Sequence, residues 1–308
     1  MAIYKQDFVL NSRGMKLVTT RWVPKEKAAK ALVFICHGYA MECSITMSST
    51  ARRLAKAGYE VYVIDYEGHG KSDGLPALVT DFDSLVDDCS QYYSSVSVIL
   101  SIHISIDLGE GRAVALLLHR KKPHYWDGAI LVAPMCKIAE EMKPNIAAIK
   151  VLTLLSKVIP TWKIIPTQDI IDVAFKVPQV RHQVRANPYC YKGRPRLKTG
   201  YELLRVNSEI ESTLHEVSLP FLVLHGEDDK VTDPLVSSEL YEVASSTDKT
   251  LKLYPEIWHG LLYGERREPP GNLNLVFSDI ISWLDDRSSF SNSRLDNELK
   301  HFNEPLVK

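Results

Sequence analysis

VILSIHISIDLGEGRAVALLLH, residues 98–119, passes from a β-branched apolar stretch through a glycine-bearing turn into a second apolar stretch. Residues 98–106 read as a buried strand, 107–111 as a turn and 113–119 as a short helix. Similar units lie on either side. Residues 31–36 (ALVFIC), 61–64 (VYVI), 129–132 (AILV), 221–224 (FLVL) and 250–254 (TLKLY) read as further strands. Between them Phe82, Leu85, Val86, Cys89, Tyr92, Tyr93 and Val96 recur at helical spacing, and 234–244 and 273–284 complete the helical series. This alternation predicts an α/β fold, a mostly parallel sheet with helices on both faces. Ligands of such sheets bind beyond the C-terminal ends of the strands. His37, Asp65, the 107–111 turn, Asp229 and His259 each follow a strand, so the pattern gathers them into one site.

Composition narrows the function classes. The 308 residues carry 37 basic and 38 acidic side chains, a formal net charge of -1, so no global field draws in nucleic acid. The five cysteines (Cys36, Cys43, Cys89, Cys136, Cys190) are scattered and lack C-x-x-C spacing. That argues against a metal or redox centre and for a reducing, cytoplasmic setting. No cofactor is expected. The N-terminal MAIYKQD has no basic-then-apolar leader pattern, and the apolar tracts at 96–106 and 151–159 are too short to span a bilayer. Any membrane contact would be peripheral.

Residues 137–216 break the rhythm. Ile146, Ile149, Val151, Leu152, Leu155 and Val158 fall at helical spacing, prolines recur, and no core strand is evident. The expected organisation is a core in two parts, 1–136 and 217–287, with 137–216 inserted as a helical cap roofing the site. Residues 288–308 form a polar tail, expected to be disordered.

Several longer segments carry a family likeness: HGYAMEC (37–43), DYEGHGKSDG (65–74), GAILVAPMCKI (128–138), VLHGEDDKVTDP (223–234), Trp258-His259 and DIISWLD (279–285). With these the chain resembles the plant monoacylglycerol lipase-like α/β-hydrolases, the group that includes caffeoylshikimate esterases. The resemblance implies the α/β-hydrolase fold, a serine triad, and a small-molecule ester (a monoacylglycerol or a phenolic ester) as substrate. It assigns the triad acid to Asp229 rather than the adjacent Asp228, and the general base to His259. The order nucleophile, acid, histidine is respected. Such a histidine takes the nucleophile's proton while the buried carboxylate fixes its tautomer. The resemblance also makes the N–H of Tyr39, in His37-Gly38-Tyr39, an oxyanion donor. Ala40 stands where the family usually has glycine, His69 matches a structural motif, and Asp233 reads as a cap on the helix beginning at Pro234.

One part is missing. The family turn reads Gly-Glu-Ser-Met-Gly-Gly-Ala-Val-Ala, whereas this chain reads Gly109-Glu110-Gly111-Arg112-Ala113-Val114-Ala115. The nucleophile position falls at Gly109 without a gap, or in a gap after Glu110. Either alignment removes the serine, and the gapped one also removes the second oxyanion donor. Three readings stay open: an ester hydrolase impaired in its present form, a non-catalytic ester-binding pseudoenzyme of the same fold, and a hydrolase using Asp107 as carboxylate nucleophile.

Overall fold

The computed structural model describes residues 2–25, 28–96, 103–108, 112–135, 146–165, 169–263 and 272–303. The chain opens with a hairpin that the sequence pattern did not reveal, β1 (Ala2–Leu10) and β2 (Lys16–Pro24). Then come β3 (Leu32–Cys36), α1 (Ser48–Lys56), β4 (Glu60–Ile64), α2 (Phe82–Val96), β5 (His103–Leu108), α3 (Arg112–Lys121) and β6 (Gly128–Val132). Next are α4 (Ile146–Val158), α5 (Ile171–Ala174), α6 (Pro178–Ala186) and α7 (Leu197–Thr213). The last elements are β7 (Phe221–Gly226), α8 (Pro234–Val243), β8 (Lys249–Tyr254) and α9 (Asn272–Asn303).

The strands form one eight-stranded sheet in the order β1-β2-β4-β3-β5-β6-β7-β8. All pairings from β4 to β8 across the sheet are parallel, and β2 joins β1 and β4 antiparallel. Side-chain alternation along the strands divides the core into two layers. Leu32, Phe34 and Cys36 of β3 face a layer supplied by α2, α3, α7 and α8. Val33 and Ile35 face the opposite layer, supplied by α1 and α9. The mostly parallel sheet with helices on both faces is therefore as expected.

Three details differ from the sequence reading. The strand expected over 98–106 is described as His103–Leu108. Asp107 consequently lies within β5, in register with Cys36 on one side and Leu131 on the other, and not in the turn. Residues 97–102, the turn residues Gly109, Glu110 and Gly111, and Cys136 lie outside the described residues. Finally, disorder was expected from Ser288, yet α9 continues as far as Asn303.

Among the described residues, the stretch between β6 and β7 contains helices and no strand. Val206 and Ile210 of α7 pack in the same core layer as α2 and α3, which ties the rear of this stretch to the sheet. No helix among the described residues is long and apolar enough to cross a membrane.

The loop after β3 shapes the edge where the site lies. His37 is buried, its Nδ1–H donates to the Gly38 carbonyl at 2.9 Å, and its ring stacks on Tyr66 with centroids 3.9 Å apart. His69 is buried beside it and donates from Nδ1 to the Glu67 carbonyl at 3.0 Å. Burial lowers the pKa of His37 from 6.5 to about 3, assisted by the neighbouring His69, and burial lowers that of His69 from 6.5 to about 4. Both rings are structural and neutral. Ala40 has φ +63°, in the left-handed region, and its carbonyl accepts a 2.9 Å bond from Tyr191 N–H.

Two outcomes follow from this loop. A Cβ in the left-handed region costs about 1–2 kcal/mol, partly offset by the entropy that glycine loses on folding, so Ala40→Gly should stabilise the protein by up to about 1 kcal/mol in urea unfolding. For the imidazoles, the unfolded chain binds protons below pH 6.5 that the native state refuses until near pH 3 to 4. Stability must therefore fall as pH drops through that window. Unfolding free energy should decrease from about pH 7 to about pH 5, and the decrease should be smaller in a His37→Gln/His69→Gln variant.

Candidate active site

β7 ends at His225-Gly226, and the loop after it is laced to the loop after β8. Glu227 N–H donates to the Tyr254 carbonyl at 2.9 Å, and Asp228 N–H donates to the Ile257 carbonyl at 3.1 Å. A Cβ on Gly226 would lie 2.2 Å from the Ile257 oxygen, so only glycine lets the two loops approach this closely. The lacing sets Asp229 against His259.

The Asp229 carboxylate is the most heavily bonded group of the site. Its Oδ1 accepts the N–H groups of Val231 at 2.7 Å and Thr232 at 3.0 Å. Its Oδ2 accepts Thr232 Oγ1–H at 2.7 Å, His225 Nε2–H at 3.1 Å and His259 Nδ1–H at 2.8 Å. Burial would push its pKa up, but the hydrogen bonds from His225, His259 and the Thr232 amide outweigh burial and hold it well below the usual carboxylate range. An ionised carboxylate only accepts, which assigns the His259 proton to Nδ1 and leaves Nε2 as the basic nitrogen. The Asp229 side chain is wholly buried, while 19% of the His259 side chain is exposed. Asp228, by contrast, is exposed.

Sequence reasoning used His225 only for spacing and overlooked Thr232. His225 accepts from Ser237 Oγ at 2.7 Å through Nδ1, which presents its Nε2–H to Asp229. An aspartate whose carboxylate caps the amides two and three residues on is an Asx-turn, so the Asp229-x-x-Thr232 spacing was the available signal. Asp233 caps α8 through Leu235 N–H at 2.9 Å.

Tyr39 lies in the loop after β3, leaving the same edge of the sheet as Asp229 and His259, with β5 and β6 between β3 and β7. Its hydroxyl donates to the Ala77 carbonyl at 3.3 Å. The turn between β5 and α3, where a nucleophile would stand, lies outside the described residues. Asp65 holds neighbouring loops instead, accepting Cys43 N–H at 2.8 Å and Lys71 N–H at 3.0 Å. His37, Cys43 and Asp65 bring ligand-type atoms within 4.8 Å of one another, but the Asp65 oxygens are occupied by these amides and His37 Nε2 accepts from Tyr66 N–H. The grouping reads as a structural polar cluster.

The segment that precedes β7 touches this site. Gly260 N–H, next to His259, donates to the Ala174 carbonyl of α5 at 2.9 Å. Ala174, Phe175, Val177 and Val180 form a small apolar cluster with Val231 and Tyr263.

Comparisons with known proteins extend over nearly the whole chain. The model of the family described as serine aminopeptidase, S33, matches residues 27–267. Caffeoylshikimate esterase of Arabidopsis thaliana is 32% identical over 302 residues, covering 92% of this chain and 88% of that protein. Monoglyceride lipase of Homo sapiens is 30% identical over 290 residues, covering 91% and 90%. In fold the chain is similar to a soluble variant of monoglyceride lipase from Saccharomyces cerevisiae in complex with a substrate analog, with a TM-score of 0.78, 20% identity and coverage of 93% and 97%. The chain belongs to the serine aminopeptidase S33 family, has the α/β-hydrolase fold, and resembles caffeoylshikimate esterase and the monoglyceride lipases over nearly its whole length.

Proposed function

We propose that this chain carries the acid–base half of a carboxylic ester hydrolase of the monoacylglycerol lipase and caffeoylshikimate esterase kind, without its nucleophile. The observation that supports the reading best is the 2.8 Å bond from His259 Nδ1 to a buried, ionised Asp229. In that reading His259 Nε2 is the general base, Asp229 fixes its tautomer and stabilises the imidazolium, and Tyr39 N–H is an oxyanion donor. The substrate or ligand is a small-molecule ester, a monoacylglycerol or phenolic ester. Residues 137–216 act as the cap over it, a role supported by the contacts of Ala174 and Phe175 with the His259 loop.

The sequence between Leu108 and Ala113 offers no serine. An elbow without its nucleophile retains catalysis of only about a thousandfold over water, from the oxyanion donors and binding. The non-catalytic reading, an ester-binding pseudoenzyme, follows from that same stretch. The Asp107 alternative is disfavoured by its place inside β5. Exposed Val151, Leu154, Val158 and Trp162, on and just after α4, support peripheral contact with a lipid surface. The buried thiols of Cys43, Cys89 and Cys190 suit a cytoplasmic, reducing setting.

A fluorophosphonate probe and elbow repair test the reading. The chain as written should not be labelled and should hydrolyse esters only at the residual rate. Inserting Ser-Met between Glu110 and Gly111, with Arg112→Gly, should bring both labelling and esterase turnover. In that repaired protein His259→Ala should abolish labelling, and Asp229→Asn should lower turnover by about ten-thousandfold. Labelling of the unrepaired chain that disappears with His259→Ala would overturn the loss of the nucleophile. A repaired protein that folds but stays inert would overturn the roles given to Asp229 and His259.

A further inference from the structure

β1 is the outermost strand, paired to β2 on one side and to no other strand among the described residues. It exposes large apolar side chains: Ile3, Tyr4, Phe8 and Leu10 retain 43%, 40%, 50% and 63% of their accessible surface. An open edge of this kind is a template for a further strand.

The direction of its main-chain groups can be read from β2. Phe8 lies opposite Val18, and Leu10 opposite Lys16. Val18 N–H donates to Ser72 Oγ and its carbonyl accepts from Asp65 N–H, both at 2.8 Å. Lys16 N–H donates to Asp73 Oδ2 and its carbonyl accepts from Asp73 N–H, both at 2.9 Å. Both β2 residues turn their main-chain groups away from β1. Their partners are therefore the non-hydrogen-bonded pairs of that ladder, and Phe8 and Leu10 turn their own groups outward. Strand alternation extends this to Ala2, Tyr4 and Gln6. The outward N–H of Phe8 is covered only by the adjacent side chain, Asp7 Oδ1, at 2.8 Å.

We propose that β1 is a self-association edge, on which a second copy of this chain pairs antiparallel through its own β1 about a two-fold axis at Gln6. The outward groups then form ladder bonds between Gln6 and Gln6, between Tyr4 and Phe8, and between Ala2 and Leu10 of the two copies. Lys5 faces Asp7 and Ile3 faces Val9 in the non-hydrogen-bonded pairs, where side chains approach most closely. The partner is identified by the strand itself. Ile3-Tyr4-Lys5-Gln6-Asp7-Phe8-Val9 runs aliphatic, aromatic, cation, amide, anion, aromatic, aliphatic. Read in reverse it keeps every class and exchanges the charges, which is what an isologous interface requires. The register is specified too. Outward parity allows slips of two residues only, and these place Lys5 against Lys5 or Asp7 against Asp7 on the axis.

Sedimentation equilibrium should give a concentration-dependent species of twice the 34.8 kDa chain mass. Lys5→Asp and Asp7→Lys should each weaken association about tenfold, because each places like charges opposite one another at two symmetry-related positions. Far-UV circular dichroism should show both variants folded. The double variant Lys5→Asp/Asp7→Lys should recover the wild-type association. Independently, Gln6→Cys should oxidise to a disulfide-linked dimer, since facing residues of a hydrogen-bonded pair lie about 5.5 Å apart at Cα. A monomer at every concentration would overturn the proposal. So would a dimer indifferent to both single reversals, or a double variant no better than either.

Discussion

The constraint on which the site depends is the pairing of β5 with β3 on one side and β6 on the other, although β4 and α2 intervene in the chain. Parallel strands cannot be joined by tight turns, so each must be followed by a crossover that begins at the same edge of the sheet. From β3 the chain crosses to β4 on one side, and from β5 it crosses to β6 on the other. Adjacent β3 and β5 thus send their crossovers to opposite sides, the kind of switch point at which such sheets bind ligands. The loops after β7 and β8 reach the same edge and deliver Asp229 and His259.

A second constraint acts within that edge. Asp229 is a charge with no exposed side-chain surface, and such a charge persists only where donors replace the water it has lost. Two turn amides, one hydroxyl and two imidazoles supply them. Because these come from β7, its following turn and the loop after β8, satisfying the carboxylate also fixes the relative position of three segments. Gly226 makes the arrangement sterically attainable, and Ser237 of α8 completes it by orienting His225. Fold stability and site geometry are thus the same set of bonds at this point.

How much of this the sequence disclosed depends on burial. β3, β4, β6 and β7 are covered on both faces and appear as continuous apolar runs, so their residues announce them. β1 is exposed along most of its length, with only Ala2 and Val9 partly buried, so there is no alternation to detect. Its hairpin partner β2 buries Thr19 and Thr20 among its apolar residues, which blurs the pattern further. Helix α1 buries Thr50, Ala51, Leu54 and Ala55, small side chains that make a faint stripe. The site residues Asp229 and His259 were legible through the resemblance, since their identities and order carry it. Thr232 and His225 were not, because a hydroxyl and a ring that act through another side chain leave no spacing of their own. The left-handed backbone of Ala40 was foreshadowed only by the glycine that the family prefers there.

The same accounting bears on what the intact Asp229–His259 pair means in a chain whose turn 109–111 contains no serine. Losing one hydrogen bond to a buried carboxylate costs about 1.5–3 kcal/mol, even with the other donors to Asp229 in place. For a domain whose net stability is about 5–15 kcal/mol, that is a large fraction of the total. The pair is therefore held in place by folding whether or not it takes part in catalysis. A serine on the turn between β5 and α3 has no comparable structural debt, because an exposed hydroxyl at an elbow can be deleted with little effect on packing. The Asp229–His259 bond and a hydroxyl on the turn between β5 and α3 are thus separable, since only the first is bound up with folding.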